Sequence, residues 1–123
     1  MSSPQHARAD DHASKALTYL RIVDDITRSG LTQVELSQAV GASLRTVQNW
    51  ATGNAMPAGA KVRRLLDVQY IVRELREVYT EEGVQIWLHA RNRNLGSQRP
   101  IDLLAAGRYD DVVAEAEHVS ASS

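Results

Sequence analysis

Cysteine is absent from the 123 residues, which removes disulfides and thiolate metal sites and leaves packing as the source of stability. The four histidines, His6, His12, His89 and His118, are scattered. No two stand four apart and none has an acidic partner at ligand spacing, so no metal site is expected. The serines fall at helix caps and termini, and no nucleophile–base arrangement can be drawn, so the chain is not expected to be an enzyme or to carry a cofactor. No apolar run approaches the roughly 20 residues of a membrane span, and no basic leader precedes an apolar segment. The expectation is a cytoplasmic protein without membrane contact.

Excess charge is lacking too. A formal net charge of -1 does not help a nucleic-acid binder if spread evenly, because affinity for a duplex rests largely on neutralised phosphates. It is uneven. Residues 1–60 hold five basic and five acidic side chains, residues 61–99 eight and five, and residues 100–123 only Arg108 against five acids. The middle is basic and the end acidic.

What is present is helical patterning with clear punctuation. Leu17, Leu20, Val23 and Ile26, with Tyr19 and Ile22 alongside, make a wide apolar stripe over a helix from about Ala13 to Arg28, ended by Gly30. Met1 to Asp11 shows no periodicity and is expected to be loose. Thr32 and Glu35 form a capping box for a helix starting near Gln33, and Gly41 stands where a positive φ would end it. Ser43 is the next cap, Val47 and Trp50 share a face, and Gly53 closes this second short helix.

Two short helices joined by a glycine-containing turn form the unit whose second helix fits the major groove of DNA. Leu36, Ala39, Gly41, Ser43, Val47, Trp50 and Gly53 resemble the Xre/Cro-type helix-turn-helix pattern. That resemblance assigns base reading to Leu44, Arg45, Gln48 and Asn49, next to the Ser43 cap. Arginine pairs with guanine and glutamine or asparagine with adenine, whereas Leu44 offers only apolar contact, for instance to a thymine methyl. Lys61, Arg63 and Arg64, past the loop at Pro57, are candidates for the phosphate backbone. A solvated basic turn is the alternative for all three.

The longest helical stretch, Lys61 to Tyr79, has an apolar stripe too wide for one exposed face and is expected to be a spine joining two halves. Glu81 to Ala90 reads as a short helix anchored by Trp87. Arg91 to Arg99 reads as a polar loop, and Pro100 as the first residue of a helix that Gly107 stops. A last helix spans about Asp110 to His118, with its acidic start favourable to the helix dipole.

From Val84 to Val113 the chain resembles the C-terminal domain of the Xre/MbcA/ParS antitoxins, through Trp87-Leu88, Asn94-Leu95-Gly96, Pro100 to Leu104, Gly107 and Val112-Val113. The resemblance implies an all-α protein: a flexible N-terminus (1–12), a helix-turn-helix DNA-binding domain (13–60), a connecting helix (61–80) and a toxin-binding domain (81–123). It further implies an antitoxin that blocks the active site of a RES-domain, NAD-degrading toxin and represses its own operon, as a homodimer or a hetero-oligomer with the toxin. The candidate toxin contacts are Trp87, Arg91, Asn94, Tyr109, Asp110, Asp111, Glu115 and Glu117. The carboxylates of the last helix would suit a cationic pocket that normally receives a pyrophosphate; dipole partners and solvated charges are the competing reading. A stand-alone Xre-type repressor with a C-terminal oligomerisation domain remains the alternative. So does a toxin binder whose second short helix no longer touches DNA.

Overall fold

Seven α-helices account for nearly all of the chain described here. The computed structural model describes the backbone of residues 4–122 and the side chains of residues 11–122. The order is α1 (Pro4–Arg28), α2 (Gln33–Val40), α3 (Leu44–Thr52), α4 (Ala60–Arg76), α5 (Glu81–His89), α6 (Pro100–Ala105) and α7 (Tyr109–Ala121), with one 3₁₀ turn, Arg93–Leu95, between α5 and α6. No strand occurs among the described residues.

Most boundaries follow from local chemistry. The Thr32 hydroxyl accepts from the Glu35 amide at 3.1 Å, while a Glu35 carboxylate oxygen accepts from the Thr32 amide at 2.8 Å. Both halves of the capping box are therefore made. Gly41 ends α2 at φ 72°, a conformation that costs a side-chain-bearing residue strain, and its amide donates back to Ser37. Ser43 then caps α3 through the Thr46 amide at 3.1 Å, and Pro100 opens α6 as its first residue.

Three boundaries differ from expectation. α1 begins at Pro4, not near Ala13; residues 1–3 of the terminus expected to be loose lie outside the described part. Pro4 suits a first helical turn, and the following residues, rich in good helix formers, contain no breaker. Apolar periodicity was the wrong criterion for an exposed helix end, where an Asp11–Lys15 ion pair one turn apart (3.2 Å) adds modest support. α4 stops at Arg76 rather than Tyr79, because the chain turns so that Thr80 caps α5 through the Gly83 amide at 3.2 Å. α7 starts at Tyr109 and runs to Ala121, longer at both ends than Asp110 to His118.

Leu65, Val68, Ile71, Val72 and Leu75 line the buried side of α4, which packs against α7 and α1, while α2 packs against α3, α4 and α6. Apolar side chains from residues 13–60, 61–80 and 81–123 consequently merge into a single core cluster. Gly30 makes part of this possible. It adopts φ 125°, and a Cβ there would stand 2.7 Å from the carbonyl oxygen of Glu81. Only glycine allows α5 to start that close to the end of α1.

Candidate nucleic-acid and partner surfaces

α3 is held by its inner face and free on its outer one. Val47 and Trp50 are buried, Trp50 at 2% exposure, and they press the helix onto α1 and α2. Leu44, Arg45 and Gln48 are exposed and Asn49 is half-buried. The four expected readers thus lie on the side away from the core, beside the exposed Ser43, whose hydroxyl is engaged with Thr46 at 2.9 Å. Among the described residues neither Arg45 nor Lys61 has an ion-pair partner, whereas Arg63 is paired with Asp67 at 3.2 Å. Lys61 is half-buried at the start of α4.

Arg64, the third candidate for the phosphate backbone, is engaged within the chain and bears on this surface from there. Its Nη1 donates to the Val40 carbonyl at 3.3 Å, placing a cation at the negative end of α2 and steadying the turn before α3. Its position three residues past Lys61 gave no hint of that distant acceptor.

Glu35 has a second role as well. Besides the Thr32 amide, its carboxylate accepts hydrogen bonds from Gln85 Nε2 (2.6 Å) and from His89 Nε2 on α5. Gln85 also donates to the Gly30 carbonyl. Burial pushes the Glu35 carboxyl up, but the bonds from Thr32, His89 and Gln85 outweigh it and hold the group below the ordinary glutamate value. Two polar residues four apart on α5 were the available signal; their partner 50 residues away in the chain was not.

The expected toxin contacts divide. Tyr109 is buried, and its hydroxyl donates to the carbonyl of Ala39 at the far end of α2. Glu115 is also buried and accepts from Asn94 Nδ2 at 3.0 and 3.3 Å. Both side chains are turned inward and fasten the chain to itself, as α7 packs against α4 and the 3₁₀ turn. Asp111 is paired with Arg108 at 2.6 Å. Glu117 accepts from the Tyr70 hydroxyl at 2.8 Å, and this bond pushes the phenol up to about 12. Asp110 is exposed, Trp87 half-buried against the core, and Arg91 and Asn94 exposed. Asn94, Asp111 and Glu115 meet at a groove of about 460 Å³ between the 91–99 loop and α7, while Trp87 is not among its lining residues. No group of histidine and acidic side chains that could hold a metal ion occurs among the described residues. No described helix is long and apolar enough to cross a membrane.

No protein-family model matches the chain. A Mycobacterium tuberculosis protein described as a probable mycobacterial cidal antitoxin is 41% identical over 103 residues, which cover 84% of this chain and 88% of that protein. The mycobacterial cidal antitoxin MbcA of Mycobacterium bovis is 35% identical over 89 residues, 72% of this chain and 79% of its own. The chain belongs to the mycobacterial cidal antitoxin family. A chain of the crystal structure of the M. tuberculosis MbcT–MbcA toxin–antitoxin complex superimposes with a TM-score of 0.72 at 31% identity, covering 84% of this chain and 94% of that one.

Proposed function

We propose that this family member is the antitoxin of a two-gene toxin–antitoxin pair, acting in the cytoplasm. It binds and blocks a RES-domain toxin that degrades NAD, and it represses its own operon through the helix-turn-helix formed by α2 and α3. The observation that carries the toxin half is the likeness to MbcA over 72% of the chain, together with a structural neighbour taken from a toxin–antitoxin complex. The DNA half is supported by the outward placement of Leu44, Arg45 and Gln48 on a helix whose other face is fixed by Trp50.

Co-expression with the neighbouring gene product, followed by purification and an NAD-consumption assay, tests the first half. A stable complex in which NAD loss is suppressed is expected; free, unhindered NAD degradation in the presence of the folded chain would remove the toxin assignment. Repression is tested by gel shift on the chain's own promoter at two salt concentrations, where specific binding that weakens as salt rises is expected. Absence of a shift, with and without toxin, would strike repression from the function.

A further inference from the structure

The charges already engaged inside the chain set the electrostatic character of the C-terminal half. On α7, Glu115 is buried against Asn94, Glu117 is bonded to Tyr70 and Asp111 to Arg108. That leaves Asp110 as the acid of this helix with no such engagement among the described residues. In the loop before α6 the balance is reversed. Arg99 is spent on Asp102 through two bonds, 2.8 and 2.9 Å, which hold that carboxyl below its ordinary value. Arg91 and Arg93 are exposed, and neither forms an ion pair among the described residues.

This loop is also held in shape by its own polar bonds, with Leu95 packed against the core. The Asn92 amide donates to the Gln98 carbonyl at 3.0 Å, the Ser97 amide to the Asn92 carbonyl at 2.9 Å, and the Asn94 amide to the Asn92 side chain at 2.9 Å. Ser97 is held at φ 60°, a strained conformation for a residue with a side chain. Arg91 Nη1 reaches across to the Ser97 carbonyl at 3.3 Å. The two guanidinium groups therefore start from a rigid frame, which lowers the ordering cost of binding.

We infer that the 91–99 loop is a preformed cationic hook, and that its occupant is a carboxylate-bearing face of the toxin, engaged by Arg91 and Arg93 as planar bidentate donors. Charge complementarity carries this choice of partner. Arginine forks match carboxylates, and the loop packs against α7, whereas α3 packs against α1 and α2. The hook lies on the C-terminal half and not on the reading helix. The inference rests on the toxin-binding reading proposed above and reverses the sign expected from the acidic last helix.

The test uses the full chain and its co-expressed toxin. Affinity is measured at two ionic strengths for wild type, Arg93→Glu, Arg91→Glu and, as a control of equal charge change elsewhere, Arg76→Glu on α4. The Arg93 side chain makes no hydrogen bond or ion pair among the described residues, so its variant should fold, as a thermal melt would verify. Arg93→Glu is expected to weaken toxin binding by tenfold or more, mainly through association rate, and to flatten the salt dependence, while Arg76→Glu leaves both unchanged. A compensating acid-to-lysine change on the toxin should restore the Arg93→Glu variant. Toxin affinity undiminished by Arg93→Glu overturns the hook. So does a loss confined to promoter DNA, which would make the loop a phosphate contact. A wild-type chain that binds no toxin at all instead removes the underlying toxin assignment.

Discussion

Glu35 shows how one side chain serves local and distant partners at once. Its carboxyl is held below its ordinary value in the folded protein, so between the folded and unfolded values the unfolded chain binds more protons. Stability from this group is fully present above the ordinary glutamate value and is lost as pH falls through the lower, folded one. Thermal melts across that acidic window should show a steeper loss of stability for wild type than for Glu35→Gln; parallel profiles would mean the network contributes nothing to acid sensitivity. Tyr109→Phe makes a different point. It removes the donor to the Ala39 carbonyl, leaving a buried acceptor unsatisfied, and should cost about 1–3 kcal/mol in denaturant unfolding. Arg45→Ala should leave stability untouched and cost about 1–3 kcal/mol at a single operator position, whereas Lys61→Ala should weaken all sequences alike.

At the scale of helices, the two-helix unit α2–α3 was legible because each end carries its own instruction: a capping box, a left-handed glycine, a serine cap and a second glycine, all within 22 residues of one another. The limits of α1 and α4 were less legible. An exposed helical end needs no apolar stripe, and α4 stops because Thr80 starts a new helix rather than because a breaker ends the old one. Gly30 belongs at this scale, since its substitution separates two elements. Gly30→Ala places a Cβ against the Glu81 carbonyl and forces φ 125° on alanine, so a loss of roughly 1–3 kcal/mol is expected. A melt unchanged from wild type would show that the α1–α5 junction can relax. Removing α7 to test toxin inhibition, a natural experiment from the sequence alone, would strip Tyr109, Val112 and Ala116 from the core. The expected outcome is an unfolded chain by circular dichroism. Point changes at Asp110 or in the 91–99 loop are the informative alternative.

Taken whole, the molecule builds its two proposed working surfaces on one core. α2 is the common wall: Arg64 of α4 bonds one end, Tyr109 of α7 bonds the same end from another side, and Gln85 and His89 of α5 bond Glu35 near its start. α3 therefore rests on an element that the C-terminal half clamps directly. Trp50→Ala, which empties a nearly fully buried site in α3, should cost about 3–5 kcal/mol. Because the core is shared, it should lower toxin binding along with DNA binding at temperatures where the variant melts. Loss of DNA binding alone, with toxin binding intact at those temperatures, would point to two separately stable units.

By itself the sequence determined the helical class, the α2–α3 unit with its outward residues, and the family pattern of the second half, because caps, glycines and apolar spacing act over a few residues. Only the tertiary structure decided which charges remain available to a partner. Whether Glu115 is a surface acid or a buried acceptor, and whether Arg93 is free while Arg99 is not, depends on neighbours brought in from elsewhere in the chain or set by a loop's exact path. A one-residue pattern carries no record of such pairings, since the energy that fixes them exists only once the helices have met.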